Sequence, residues 1–257
     1  MATTMQPVIL RAEDVTKEYR SGSGNVVALQ GLNLDVREGE LLSLLGPSGC
    51  GKSTALNIMG GLLDASEGTV TLEGEHMSGP RREIGMMFQQ AVMLPWRSTL
   101  QNVLLPVEVF SWSKKQYAEK ARELLSMVGI SEFADSYPWQ LSGGMQQRAA
   151  LCRVLVHDPK LLLLDEPFGA LDEFTRESMN LELLRLQAHT RKTAVLVTHN
   201  IPEAVFMSDR IAVMTARPGR LVGVIEVPFP RPREPELMRE QDFADIVFEA
   251  RAMLGLR

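Results

Sequence analysis

At 257 residues, with 45% hydrophobic and 23% charged side chains, the chain suits one large α/β domain or a core carrying an inserted subdomain. A formal net charge of −5, with both signs interspersed, offers no nucleic-acid surface, and no apolar run reaches the roughly 20 residues that a membrane-spanning helix needs. The start, Met1 to Val8, lacks the charged and apolar stretches of a secretory signal, and two cysteines, Cys50 and Cys152, make no disulfide framework, which fits a reducing cytosol.

Val8 to Val15 reads as a first strand, the turn-rich Ser21-Gly22-Ser23-Gly24-Asn25 follows, and Val26 to Val36 reads as a second. Leu41 to Leu45 is nearly all apolar and ends at a glycine loop, the texture of a strand covered on both faces in a parallel sheet. That texture recurs at Leu161 to Leu164, Ala194 to Val197 and Ile211 to Met214, with helical periodicity at Ser53 to Leu63, Glu173 to Ala188 and Ile201 to Ser208. Alternating strands and helices imply a parallel, doubly wound core. Between them, Leu100 to Phe110, Lys114 to Val128 and Gly144 to Val156 all read as helices, a block suited to an inserted subdomain. The segment Pro228-Phe229-Pro230-Arg231-Pro232-Arg233 reads as an extended linker to a last helix from Glu236 to Leu254.

Gly46-Pro47-Ser48-Gly49-Cys50-Gly51-Lys52-Ser53 follows a strand and opens a helix, the setting of a phosphate loop. Its glycines let consecutive N–H groups face one anion, and the helix N-terminus adds positive potential. Lys52 is expected on the β- and γ-phosphates, Ser53 on Mg²⁺, and Thr54 as a neighbouring phosphate contact. Cys50, beside Lys52 and a helix N-terminus, is expected to have a lowered thiol pKa and a reactive thiolate. Asp165 and Glu166 end an apolar strand, with Asp165 expected to hold Mg²⁺ through its water shell and Glu166 to act on the attacking water as general base. Ser142-Gly143-Gly144 forms a helix cap with glycine-exposed N–H groups, a second anion cup. His76, His157 and His189 match no metal-ligand spacing and read as surface or structural, and the methionines as core filler.

The phosphate loop, Leu141-Ser142-Gly143-Gly144-Met145-Gln146-Gln147-Arg148 and the acidic strand end resemble, in this order, the ATP-binding cassette (ABC) ATPases, over Leu10 to roughly Glu226. The resemblance implies a RecA-like P-loop NTPase core with an N-terminal antiparallel β subdomain and an inserted α-helical subdomain. Residues 1–89 with 161–230 would form the ATP-binding core, 90–160 the helical signature subdomain and 231–257 a C-terminal helical tail. It also implies roles for single residues: Tyr19 stacks on adenine, Gln89 is the Q-loop amide reaching metal and water, His199 contacts the γ-phosphate, and Asp172 communicates between protomers. Met145 stands where the family most often has glutamine, which leaves the Ser-Gly-Gly cup intact.

In that family the cup serves ATP held by a second ATPase subunit, head to tail, so two ATP molecules lie at an interface. Met93-Leu94-Pro95-Trp96 and Ala216-Arg217-Pro218-Gly219-Arg220 are similar to the nitrate, sulfonate, taurine and bicarbonate importers. The implied partners are a second copy, an integral membrane permease docked near Gln90 to Phe110 and, indirectly, an extracytoplasmic solute-binding protein, at the cytoplasmic face of the membrane. An exporter ATPase for lipid or lipoprotein and a soluble, non-transport ABC ATPase are the alternatives.

Overall fold

The computed structural model describes residues 6–21 and 24–256. Gly22 and Ser23 of the predicted turn, and the His189 side chain, lie outside the described part. In chain order the strands are β1 Val8–Ser21, β2 Gly24–Arg37, β3 Leu41–Leu45, β4 Glu67–Leu72, β5 Glu75–His76, β6 Ile84–Met87, β7 Leu161–Asp165, β8 Thr193–Thr198, β9 Arg210–Met214 and β10 Leu221–Glu226. The helices are α1 Lys52–Met59, α2 Thr99–Val103, α3 Leu105–Val109, α4 Lys114–Met127, α5 Gly143–Leu155, α6 Glu173–Thr190, α7 Ile201–Met207 and α8 Gln241–Met253. The chain divides into two compact units, one built from residues up to 81 and from 187 onward, the other from residues 82–186.

In the first unit, β2, β1, β4 and β5 form an antiparallel sheet in that order. Beside it, β3 pairs in parallel with both β8 and β9, and β10 closes the edge antiparallel to β9. Every residue of β3, β8 and β9 is buried, as their nearly continuous apolar runs predict. These strands carry the chain from one edge of the sheet to the loops that follow Leu45, Thr198 and Met214.

The second unit pairs β6 with β7 in parallel and surrounds them with helices. Helix α5 packs on α2, α4 and β6, and α4 turns Ala121, Leu124 and Leu125 inward at helical spacing. The mixed α/β architecture, with an antiparallel β portion and a helical portion, agrees with the expected fold class.

Several expectations change at the level of elements. Helix α1 stops at Met59 instead of Leu63, because Gly61 adopts φ 70° and Leu62 N–H donates to Asn57 O at 2.9 Å, a glycine-terminated Schellman end. The helix expected over Leu100 to Phe110 is broken at Leu104, where Pro106 has no N–H to continue the ladder. Strands β4, β5 and β6 were not expected at all.

The proline-rich segment is no free linker. Arg233 is buried and donates to the carbonyls of Val205, Phe206 and Ser208 at 2.8–3.2 Å, and Arg231 donates to Met207 O at 2.8 Å. Both guanidinium groups close the C-terminal end of α7, where orphan carbonyls and the helix dipole favour a cation. The last helical pattern then splits into a 3-10 turn over Pro235–Arg239 and helix α8, which packs on α7 and β10.

Candidate nucleotide site

The loop between β3 and α1 is shaped by glycines at the two places where the backbone turns left-handed, Gly49 at φ 75° and Gly51 at φ 97°. A Cβ at Gly51 would stand 2.7 Å from Ala28 O, so no other residue fits there. Lys52 is only 5% exposed and its ammonium donates to Gly46 O at 2.7 Å and Pro47 O at 3.0 Å. The loop therefore curls around its own cation, whose donors are held by carbonyls that an incoming anion can replace. Pro47, Ser48 and Gly49 are exposed at the tip, and Ser53 is exposed at the first turn of α1. Tyr19 on β1 is partly exposed, with its hydroxyl 3.5 Å from Thr54 Oγ1 and Lys17 Nζ 5.6 Å from its ring centre.

Cys50 does not have the lowered pKa expected of it. The thiol is 1% exposed, and burial pushes its pKa above the ordinary value, outweighing the opposing charge of Lys52. The expected reactive thiolate is therefore corrected to a protonated, enclosed side chain. Cys152, within α5, is pushed up to about 12 by burial.

His199 stands exposed at the end of β8, between two anchored neighbours. Thr198 Oγ1 donates to Glu203 Oε2, and Asn200 caps α7 by accepting from Glu203 N–H at 3.0 Å. That anchoring fixes the backbone from which the imidazole projects. Of the other histidines, His76 is exposed on β5 and His157 is half-buried with Phe110 at 5.6 Å, burial lowering its pKa.

In the second unit β7 ends at Asp165, and Glu166 follows with φ 42°. A left-handed glutamate carries a backbone cost of about 1–3 kcal/mol, the kind of strain that collects where a side chain must be aimed. Glu166 Oε2 lies 3.4 Å from Gln89 Nε2, and Glu166 O accepts from Gly169 N–H at 3.0 Å. Asp172 caps α6: its carboxylate accepts from Thr175 N–H at 3.1 Å and Thr175 Oγ1 at 2.7 Å, which holds its pKa below the usual carboxylate range.

Ser142 caps α5, its hydroxyl accepting from Met145 N–H at 3.3 Å. Ser142 and Gly143 are exposed, and nothing lies within 4 Å of a Cβ built on Gly143. Met145 N–H is taken by the cap, and the Gly143 and Gly144 N–H groups, which have no carbonyl of the helix to donate to, are the ones offered to an anion. Gln147, one turn on, is buried and its amide donates to Gln89 O at 2.9 Å.

A model of the family described as "ABC transporter" matches residues 29–169. The chain belongs to the ABC transporter family. It is 45% identical to an uncharacterized ABC transporter ATP-binding protein of Methanocaldococcus jannaschii, over 88% of this chain and 85% of that one. It is 43% identical to the taurine import ATP-binding protein of a Jannaschia species, over 80% and 77%. Among solved structures it is similar to the dimeric post-hydrolysis state of an ATP-binding cassette bound to ADP and Pi, with TM-score 0.77 and 35% identity over 86% of this chain and all of that one.

As an ABC ATPase the chain binds and hydrolyses ATP. Among the described residues no helix is long and apolar enough to cross a membrane. The predicted residues divide between the units: Tyr19, the phosphate loop, Thr54 and His199 belong to one, Gln89, Ser142, Gly143, Gly144, Asp165, Glu166 and Asp172 to the other, with Tyr19 meeting Thr54 and Gln89 meeting Glu166. Sequence reasoning gave no role to Gln147 or Arg217. Nothing in their spacing distinguishes a buried amide from a solvated one, or a loop arginine lying on the phosphate loop from one facing water.

Proposed function

We propose that this chain is the ATP-hydrolysing subunit of an importer for a small oxyanion of the nitrate, sulfonate or bicarbonate kind, working as a head-to-tail pair of copies at the cytoplasmic face of the membrane. The observation that carries the pairing is the open cap at Ser142 and Gly143, and import of such a solute is supported by the likeness to the taurine import ATP-binding protein. An anion cup on one chain, additional to a phosphate loop that already wraps one end of a nucleotide, is explained by ATP held on another copy.

In this reading the phosphates of ATP replace the carbonyls of Gly46 and Pro47 on Lys52, and the N–H groups of Gly49 to Thr54 cradle them. Tyr19 stacks on the adenine. Mg²⁺ fits the donor set: the Ser53 hydroxyl, the Gln89 amide oxygen and, through water, the Asp165 carboxylate are hard oxygen ligands suited to an ion shared with nucleotide phosphates. Bound there it would neutralise charge developing on the transferred phosphoryl group.

Glu166 accepts a proton from the water that attacks the γ-phosphorus as the bond to ADP breaks, and Gln89 orients that water. His199 donates to the γ-phosphate. The partner copy's Ser142, Gly143 and Gly144 close the other side, with Asp172 next to the shared boundary. Loss of the γ-phosphate removes the anion that joins the two copies, and they part.

Val92, Trp96 and Val109 each stand 59–70% exposed in the helical unit, and these apolar side chains are the ones proposed to meet a permease helix. Solute choice belongs to the permease and its binding protein. The test is uptake in vesicles that hold this chain with the permease and binding protein of its transporter. Inward, ATP-dependent movement of labelled taurine, nitrate or bicarbonate, abolished by Glu166→Gln, supports the reading; ATP-driven export, or hydrolysis indifferent to all three, contradicts it.

A further inference from the structure

The turn between β9 and β10, Thr215 to Arg220, lies along the outside of the phosphate loop. Two successive loop carbonyls are directed at it. Gly49 O accepts from Arg217 Nε at 3.1 Å, and Cys50 O packs so closely on Gly219 that a Cβ there would stand 2.0 Å away. The turn is itself anchored. Gly219 N–H donates to Ala28 O at 3.0 Å, Gln30 N–H donates to Gly219 O at 2.9 Å, and Thr215 Oγ1 donates to Pro218 O at 2.9 Å. Arg220 donates through Nη2 to Gln30 Oε1 at 2.5 Å. The turn is therefore fixed to β2 on one side and bears on the loop with the other.

A trans peptide points its C=O and N–H in opposite directions. Holding the carbonyls of Gly49 and Cys50 outward turns the N–H groups of Cys50 and Gly51 toward the concave side. There Cys50 N–H donates weakly to Pro47 O at 3.3 Å, the same carbonyl that holds Lys52. Left-handed Gly49 and Gly51 give the loop many other conformations, so something must select this one.

We infer that Arg217 is a positioning residue for ATP binding: its Nε–H fixes the Gly49 carbonyl outward and so presets the anion-binding N–H groups of the phosphate loop. This rests on the reading that nucleotide phosphates occupy that loop. The role belongs to the Nε donor and not to the charge, because the bond is made to a neutral carbonyl on the outer face. The cost of losing it is the cost of ordering the loop when ATP binds.

Glutamine places an amide donor where arginine has Nε, without the charge, and methionine matches its length with no donor. Binding of a fluorescent ATP analogue with Mg²⁺ to the full chain therefore separates the causes. Arg217→Met is expected to weaken binding about three- to tenfold, the worth of one such hydrogen bond, while Arg217→Gln stays within about twofold of the parent. Equal weakening in both variants would assign the effect to charge and overturn the proposal, as would parental affinity in Arg217→Met. Lys52→Ala is the control for the underlying reading. If it binds as the parent does, the loop is not the phosphate site and both statements fall; if it loses binding while Arg217→Met does not, the positioning role alone falls.

Discussion

Gln147 donates to the main-chain carbonyl of Gln89 at 2.9 Å, so the helix that begins at the Ser142 cap holds the segment whose side chain reaches Glu166. The amide is buried, and its own Oε1 has no hydrogen-bond partner among the described residues. One side chain thus ties together the open cap and the proposed general base within a single unit.

Replacing Gln147 by leucine keeps its bulk and removes the donor. Gln89 is exposed, so water can take the donor's place at its carbonyl, and the loss is that of one ordinary hydrogen bond, about 1 kcal/mol, read as a lower unfolding midpoint. Turnover at saturating ATP should fall, because Gln89 would no longer be held toward Glu166, while the affinity for ATP changes little. Unchanged turnover with a clear loss of stability would reduce Gln147 to a packing residue.

Glu166→Gln should bind ATP as the parent does and hydrolyse it roughly 10²- to 10⁴-fold more slowly, the range expected for loss of a general base. The complex should accumulate as an ATP-bound dimer, measured by size-exclusion chromatography with light scattering. Parental turnover would remove Glu166 from the role.

Gly143→Asp offers a cleaner test of the cap than a change at Ser142, which also holds Met145 N–H. No atom lies near a Cβ at Gly143, and a carboxylate in the first turn of α5 is favourable to the helix. The variant should melt within about 2 °C of the parent. It should bind ATP normally as a single chain, yet hydrolyse it about 10²-fold more slowly or worse, because the new charge faces the partner's phosphates. Parental hydrolysis would show that nothing anionic meets the cap.

Burial raises the Cys50 pKa, so the thiolate is scarce at neutral pH and grows as pH rises through the ordinary thiol range and beyond. Alkylation by iodoacetamide should be slow at pH 7 and still climbing at pH 9, measured by mass spectrometry of the Cys50 peptide. Cys152, at about 12, should label only after unfolding. A Cys50 rate that levels off below pH 8 would restore the low pKa that the sequence suggests.

What the sequence reveals and what it hides follow from range. The five-residue run Leu41 to Leu45 announces a strand buried on both faces, and the glycine spacing after it announces an anion loop, because both are local demands of backbone and burial. The depth of Cys50 is not local: it depends on Met214 and Gly219, far along the chain, packing against the loop. The tail misleads for the same reason. Three prolines in the six residues from Pro228 to Arg233 suggest an extended linker, but Arg231 and Arg233 find carbonyls at residues 205–208 that no window around them contains. The break at Leu104 was legible in Pro106, and the apolar periodicity on either side concealed it.

The central claim is that the cap of one copy meets ATP held by another. It is tested most directly by cross-linking in the Glu166→Gln background. One chain carries Ser142→Cys, the other Ser48→Cys at the exposed loop tip, and a short bis-maleimide joins whatever lies together. Mixed with ATP, the two should give a covalent heterodimer that neither forms alone and that ADP does not support. A chain carrying both cysteines that cross-links only within itself, with no heterodimer from the mixture, would contradict the shared site.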